Sequence, residues 1–204
     1  MFIQMKKRKY TQTRRAVQQQ QTRTQIVEAA MALHEALGPA ATSIKAVAER
    51  AGVQRLTVYR HFPDEASLFH ACTTHWLALH PPPALSGWAK INGPRERTHA
   101  ALSAFYRYYR QTRRMWRSAY RDVDQVEGLK KSMAEFENYL QQVQGDLLAA
   151  WQARGKQSEA LSVTLRHTLR FNTWQSLHES GLTDEQMSDL VISCLLYTSP
   201  SPRD

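Results

Sequence analysis

The 204-residue sequence contains few cysteines and no long apolar run, and each absence excludes a class of protein. Its two cysteines, Cys72 and Cys194, cannot form a disulfide framework, and neither has the neighbouring His or Cys residues of a zinc site. No stretch of about 18 apolar residues occurs, so we expect no membrane-spanning helix and no membrane partner. Because no apolar stretch follows the basic N-terminus, we expect no secretory signal and a cytoplasmic location.

Signatures of catalysis are also missing. The sequence has no G-x-S-x-G motif, no glycine-rich phosphate loop and no suggestive Cys–His pair. His70, His75 and His80 are five residues apart, which turns successive side chains by about 140° on a helix, so they do not converge on one metal ion. We therefore expect neither an enzyme nor a bound cofactor or metal.

Positive charge is concentrated near the N-terminus. The formal net charge is +9, and residues 1–62 hold 11 basic and 3 acidic side chains, against 16 and 15 in residues 63–204. Residues 1–20 are basic and Gln-rich without an apolar period, and we interpret them as a flexible arm. This distribution indicates a module that faces nucleic acid, joined to a nearly neutral remainder; the alternative is a solvated basic tail.

Apolar residues recur at helical spacing throughout, and no strand-like alternation occurs, so the sequence predicts an all-α fold. We expect a DNA-binding domain over residues 21–82 and a second helical domain over residues 83–193. Within the second domain, Leu161, Leu165, Leu169 and Asn172 predict one helix. Residues 194–204 interrupt the helical pattern of Met187–Ile192 and resemble a translated sequencing adapter, so we expect them to be a non-native tail; the alternative is a genuine Ser/Pro-rich tail.

The segment IKAVAERAGVQRLTVYRHF, residues 44–62, has the pattern of a helix-turn-helix. Ala48 is small where two helices must cross, and Gly52 follows four residues later, where a tight turn favours positive φ. Val53 and Val58 are suited to anchor the second helix. Between and beyond these anchors lie polar or basic residues, among which Arg can bond guanine, Gln can bond adenine and Thr can meet a thymine methyl. The alternative is an ordinary helical hairpin with a polar outer face.

The stretch from Thr22 to about Leu79 resembles the DNA-binding domain of the TetR/AcrR family of bacterial transcriptional regulators. The matching residues are Ile26, Ala30, Gly38, Thr42–Ser43, Ala48, Ala51–Gly52–Val53, the run TVYRHF at 57–62, and Leu68. The resemblance implies a homodimer whose third helices enter successive major grooves of a palindromic operator. It implies phosphate contacts by Ser43 and Tyr59, base contacts by Lys45, Arg55 and Thr57, and a backbone contact by His61. The full set of expected DNA-binding residues is Thr42, Ser43, Lys45, Gln54, Arg55, Leu56, Thr57, Tyr59, Arg60 and His61.

One position departs from the family pattern. The family often has a lysine at the start of the fourth helix, where it grips phosphate, but here Glu65 stands at that position beside Asp64. Two acids suit a helix N-terminus but repel phosphate, so we expect no phosphate contact there. The basic arm, from Lys6 to Arg15 together with Arg23, could compensate along the DNA backbone or in the minor groove, or it could add only salt-dependent attraction.

The second domain holds most of the aromatic residues, and these could line a cavity between helices. The candidates for ligand binding are Tyr106, Tyr109, Trp116, Tyr120, Phe136, Tyr139, Phe171 and Trp174. In the family that the N-terminal stretch resembles, such a cavity binds a small effector, and the last two helices form the dimer. The alternative for each aromatic residue is plain core packing. The arginine-rich segment Arg110–Asp122 is either a site that attracts an anionic ligand or a solvated face.

We therefore predict a DNA-binding transcriptional repressor that a small molecule releases from its operator. The alternative is a ligand-independent architectural or division-control DNA-binding protein of the same fold.

Overall fold

Helices account for nearly all regular structure in the computed structural model, which describes the backbone of residues 2–197 and the side chains of residues 14–195. Over these residues no strand occurs, and the prediction of an all-α fold is confirmed. The α-helices are α1 (Phe2–Ala36), α2 (Ile44–Arg50), α3 (Arg55–His61), α4 (Glu65–Leu79), α5 (Pro94–Asp122), α6 (Glu127–Trp151), α7 (Gly155–Thr168), α8 (Phe171–Glu179) and α9 (Asp184–Tyr197), with a short 3₁₀ helix at Leu85–Gly87. No helix among the described residues combines the length and the apolar character needed to cross a membrane.

The chain forms two units, and the first is built from residues 1–79 together with residues 117–130. Sequence reasoning placed the boundary after residue 82 and gave no sign that the later segment belongs to this unit. Its core is one apolar face of α1 packed against α2, α3 and α4. The buried core residues are Ile26, Val27, Ala29, Ala30, Leu33, Ile44, Val47, Ala48, Val58, Phe62, Leu68 and Cys72.

The N-terminal segment, which the sequence indicated to be a flexible arm, is helical. Helix α1 begins at Phe2 and runs for 35 residues. No glycine or proline occurs before Gly38, and Gln, Lys and Arg all have good helix propensity, so nothing in the segment stops the helix that the core-facing part of α1 begins. The expected absence of an apolar period holds for residues 14–20, all of which are exposed.

The second unit comprises residues 80–116 and 131–204, and aromatic side chains fill much of its core. Trp88, Phe105, Tyr106, Tyr109 and Trp174 are all buried. Asp146 on α6 binds two residues near the start of this unit. Its carboxylate accepts from the indole N–H of Trp88 at 3.0 Å and forms an ion pair with Arg97.

Two helices stand where the sequence predicted one. Helix α7 ends at Thr168 and α8 begins at Phe171, so the apolar series Leu161–Leu165–Leu169 does not continue as one helix to Asn172. The hydroxyl groups of two buried tyrosines satisfy the carbonyls that the break leaves free. Tyr106 donates to the Thr168 carbonyl at 3.0 Å, and Tyr109 donates to the Leu169 carbonyl at 2.8 Å. Because these bonds replace helical ones, the break leaves neither of these two buried carbonyls without a hydrogen-bond donor.

Helix α9 continues beyond the point where the sequence suggested an interruption. It extends to Tyr197, and Leu195 is fully buried four residues after the buried Val191. The expected break at residue 194 is therefore wrong in structural terms, because Leu195 lies on the same helix face as Met187 and Val191. The rest of the expected tail, residues 198–204, lies outside the described residues.

Candidate nucleic-acid interface

A tight turn joins α2 to α3 and sets the direction of the second helix. Gly52 has a φ of +66°, and its N–H donates to the Glu49 carbonyl at 3.2 Å, while the Val53 N–H donates to the Ala48 carbonyl at 3.0 Å. Ala48 on α2 is buried at the crossing, and Val58 on α3 is fully buried. The small residue, the turn glycine and the apolar anchors thus occupy the places that the helix-turn-helix pattern assigned to them.

The outward face of α3 carries the residue types that read a major groove. Gln54, Arg55, Leu56, Tyr59 and Arg60 are exposed, and Thr57 and His61 are half-buried. Leu56 is 67% exposed and gives this face an apolar group that can contact a thymine methyl. Every residue that sequence reasoning assigned to α3 is therefore at least partly exposed.

The start of α2 offers a second set of polar groups. Ser43 caps the helix, since its hydroxyl oxygen accepts from the Ala46 N–H at 3.2 Å, and it remains exposed. Lys45 is also exposed and makes only a long surface ion pair with Glu49, 3.9 Å between the charged atoms. Thr42 is different: its hydroxyl donates to the Gly38 carbonyl at 2.8 Å, which fits a role in shaping the turn before α2.

Positively charged side chains lie around the C-terminal end of α3. The Arg23 guanidinium lies over the ring of Phe62, with its central carbon 4.6 Å from the ring centroid. Burial and the positive charges of Arg23 and Arg60 lower the pKa of His61, so its imidazole is neutral near pH 7. Arg23 on α1, which the sequence analysis included in the basic arm, thereby adds positive charge beside the predicted recognition helix.

The N-terminus of α4 is acidic, as the sequence indicated. Asp64 accepts from the Ser67 N–H at 2.7 Å, and this bond lowers the pKa of the carboxyl group. Glu65 follows in the first turn and is exposed. The two carboxylates stabilise the helix end through the helix dipole, and they disfavour a phosphate contact at this point.

Sequence reasoning missed a clamp that holds the turn between α1 and α2. Asp122, only 3% exposed, accepts from the Ala40 N–H at 3.1 Å and from Arg121 Nε at 2.7 Å. Arg121 also donates to the Leu37 carbonyl at 2.7 Å, which satisfies an acceptor at the end of α1. The Arg121 hydrogen bond lowers the pKa of Asp122. The clamp fixes the approach of the chain to Ser43, the first of the DNA-facing groups on α2.

His34 lies beside this clamp and gives the first unit a sensitivity to acid. Burial lowers the pKa of His34 from 6.5 to about 4, and the Asp122 charge offsets only part of that effect. Between pH 6.5 and 4, His34 is therefore protonated in the unfolded chain but neutral in the folded chain. The free energy of unfolding falls as the pH falls through this range. We expect a loss of roughly 1 kcal/mol per pH unit in this window from His34.

Urea unfolding of the wild-type chain and of His34→Gln at several pH values between 7 and 4.5 measures this loss. The variant should lose stability less steeply with acid than the wild type, whatever its stability at pH 7. His167→Gln, a change at an exposed histidine of the second unit, is the matched control and should keep the wild-type slope. Equal slopes for the wild type and His34→Gln would show that His34 is not the responsible group.

The aromatic residues proposed to line a ligand cavity pack against one another. Ring centroids are 4.3 Å apart for Trp116 and Phe136, 5.6 Å for Tyr109 and Phe171, and 5.5 Å for Phe171 and Trp174. Tyr106 is buried and Tyr139 is half-buried, with its hydroxyl donating to the Pro83 carbonyl. Tyr120 belongs to the first unit, and the other seven candidates belong to the second. No group of His, Cys, Asp and Glu among the described residues is arranged to hold a metal ion.

An all-helical unit that presents a short helix after a tight glycine turn, with an exposed polar face and a buried apolar one, defines a helix-turn-helix DNA-binding domain. Residues 26–72 match the family model described as bacterial regulatory proteins, tetR family. This match confirms the resemblance of the N-terminal stretch to the TetR family, which the model describes as bacterial regulatory proteins. A comparison with curated protein sequences found no match.

Solved structures show the same fold over most of the chain. A TetR-like transcriptional regulator from Rhodococcus sp. RHA1 is 19% identical, with a TM-score of 0.64 over 86% of this chain and 93% of that one. NalD, the secondary repressor of the MexAB-OprM multidrug efflux pump in Pseudomonas aeruginosa, is 18% identical, with a TM-score of 0.58 over 92% and 100%. The multidrug binding protein EbrR, in complex with imidazole, is 18% identical, with a TM-score of 0.54 over 89% and 92%.

Proposed function

We propose that this chain is a transcriptional repressor of the cytoplasm, binding a palindromic DNA operator as a homodimer and leaving it when a small molecule binds. The observation that carries the proposal is the exposure of Arg55, Leu56 and Tyr59 on α3, while Val58 of the same helix is fully buried in the core. A helix held in this way can enter the major groove without disturbing its own core.

The proposal assigns the contacts by chemistry. Arg55, Gln54 and Thr57 read base edges, Leu56 contacts a thymine methyl, and Ser43, Tyr59 and His61 bind phosphate. Lys45 also lies near the bases, and Arg60 and Arg23 supply positive charge that makes binding depend on salt. Helices α8 and α9 form the dimer, and the 45% exposure of Leu190 on α9 supports an apolar contact there.

Selection of bound sequences from a random pool of duplex DNA, with the full chain, tests the proposal. We expect a split palindrome whose half-sites are about one helical turn apart, because a two-fold dimer places its two α3 helices in successive major grooves. Recovery of a single, non-repeated motif would contradict the dimeric arrangement. Recovery of no motif, with binding that depends only on salt, would contradict sequence-specific regulation.

A second candidate is a DNA-binding protein of the same fold that needs no effector. The observation that favours it is the direct packing of Tyr109, Trp116, Phe136, Phe171 and Trp174 against one another, as in an ordinary aromatic core. In that case operator binding should respond to salt and DNA sequence alone.

A further inference from the structure

The stretch of α1 that precedes the core, residues 14–21, is exposed on every side, and we call it the outer segment. All of its residues are exposed, and together they pass more than twice around the helix axis. The helix is regular here, since the Thr22 hydroxyl donates to the Gln18 carbonyl at 3.0 Å. Burial begins only at Ile26. The outer segment therefore lies outside the core of the first unit and is open to a partner.

The outer segment carries charge of one sign. Arg14 and Arg15 are exposed, and Lys and Arg are the only charged residues in the chain before Glu28. A solvated helix face usually carries charges of both signs, as α6 does where Lys130 pairs with Glu127 at 3.7 Å. Because like charges on one helix repel one another, the pattern in the outer segment favours a polyanionic partner over a solvated face.

Arg23 shows where the outer segment begins relative to α3. Its guanidinium lies over the ring of Phe62, with 4.6 Å between the central carbon and the ring centroid. Phe62 is the residue that follows α3, and it adjoins His61, for which we propose a phosphate contact. Helix α1 thus passes the C-terminal end of α3, and the outer segment continues from that point.

The length of the outer segment sets how far it reaches. Arg15 and Arg14 precede Arg23 by eight and nine residues, which is about 12–14 Å along a helix that rises about 1.5 Å per residue. The same length spans about four base pairs of a duplex that rises about 3.4 Å per pair. A helix with its side chains is about 10–12 Å wide, whereas the minor groove is only about 6 Å wide. A helical segment therefore follows the DNA backbone and does not enter that groove.

We propose that the outer segment and Arg23 form a second DNA-contacting surface, which binds backbone phosphates of duplex DNA outside the half-site that α3 reads. The inference rests on the proposed function, because docking of α3 is what brings α1 to the duplex. Arg14 and Arg15 pair with phosphates and release counterions, and the side-chain amides of residues 18–21 can donate to phosphate oxygens. These contacts add affinity and salt dependence without reading sequence, and they supply the positive charge that the acidic N-terminus of α4 lacks.

Fluorescence anisotropy of the full chain on two duplexes tests this surface. Both duplexes contain the selected operator; the short one ends at the operator, and the long one adds about one helical turn of arbitrary sequence on each side. At low salt the wild type should bind the long duplex at least tenfold more tightly than the short one. Exchanging the added flanks for another sequence should leave this gain unchanged, because phosphates carry no sequence information.

Arg14→Gln with Arg15→Gln should remove most of the gain and leave affinity for the short duplex within a factor of about two. A dimer of this variant loses about four phosphate contacts, so the slope of log K against log salt on the long duplex should become shallower by about 3 to 4. Glutamine keeps a good helix propensity, so the segment should remain helical by circular dichroism. Arg154→Gln with Arg166→Gln, at two exposed arginines of the second unit, is the matched control and should behave as the wild type.

Gln19→Pro separates a helical surface from a flexible basic tail. Proline removes a helical hydrogen bond and kinks the helix, so Arg14 and Arg15 keep their charge but lose their position. This variant should also lose most of the gain on the long duplex. A full gain would show that a flexible tail is sufficient, and it would overturn the helical surface.

Three further outcomes would overturn the proposal: equal binding of both duplexes by the wild type, an undiminished gain in the double arginine variant, or a gain that depends on the flanking sequence. A chain that selects a palindromic operator but gains nothing from the flanks retains the proposed function and loses this surface. A chain that selects no operator, but whose double arginine variant has a shallower salt slope on random duplex DNA, retains the DNA contact of α1 and loses the proposed function.

Discussion

Replacement of Gly38 by alanine should lower the free energy of unfolding by about 3 kcal/mol. Gly38 has a φ of +98°, a backbone conformation that residues with a side chain rarely adopt. A β-carbon at this position would also collide with Arg121 Nη2 and Asp122 Oδ2. The variant must therefore strain its backbone and open the clamp that holds Leu37 and Ala40, and chemical denaturation monitored by circular dichroism measures both costs together.

Gly52→Ala is the matched control for this prediction. Gly52 also has a positive φ, +66°, but a β-carbon there would meet nothing within 4 Å. Its substitution should cost only the backbone strain, about 1–2 kcal/mol. Equal losses for the two variants would show that strain alone accounts for Gly38, and that the Arg121–Asp122 clamp has no energetic role at this turn.

Arg55→Ala should weaken binding to the selected operator by about 1–3 kcal/mol, which is roughly 5- to 150-fold. Arg55 is exposed in the first turn of α3, and a guanidinium in this position can bond guanine O6 and N7 together. The loss should depend on sequence, because the variant relaxes the preference at one base pair per half-site. Fluorescence anisotropy with the selected operator and with single-base variants of it measures both effects.

Arg166→Ala provides the control, since Arg166 is an exposed arginine on α7 in the second unit. It should leave operator affinity within a factor of about two, because it removes a charge without removing a base contact. If Arg55→Ala instead weakens all DNA sequences equally and reduces the salt dependence by about one phosphate contact, Arg55 binds phosphate and does not read a base.

Local sequence patterns were sufficient to predict the helix-turn-helix. Ala48, Gly52 and Val58 lie within eleven residues of one another, and each residue type has a single physical reason to occupy its place. Their burial and turn geometry agree with that pattern, and so does the exposure of Arg55 and Tyr59. The helical class followed for the same reason, since apolar periodicity reports directly on which face of a helix is buried.

Other features depend on partners that are distant in sequence. Asp122 accepts from the Ala40 N–H across 82 residues, and nothing in the arginine-rich segment around it distinguishes this carboxylate from a solvated one. The break between α7 and α8 is of the same kind, because its free carbonyls are satisfied by Tyr106 and Tyr109, about 60 residues earlier. Nothing in the series Leu161–Leu165–Leu169 indicates that either tyrosine hydroxyl group is nearby, so periodicity alone predicted a continuous helix.

The arm and the end of the chain show that the lack of a clear pattern does not exclude a helix. Residues 1–20 have no apolar period and were interpreted as a flexible arm, yet the absence of glycine and proline allows α1 to run from Phe2. The change of composition after Ser193 suggested a break, yet Leu195 keeps the register of Val191 and is buried. In both cases the composition differed from that of the adjoining helix, yet the residues could still continue it.

The amino-acid sequence by itself determined the helical class, the helix-turn-helix and the groups that α3 presents, because these depend on neighbours within two or three helical turns. The tertiary structure alone decided that residues 117–130 join the first unit, that Arg121 and Asp122 fasten the turn before α2, and that Arg23 lies over Phe62 at the end of α3. The physical reason is that hydrogen bonds and ring contacts between distant segments require no periodicity. Only the folded chain brings their members together.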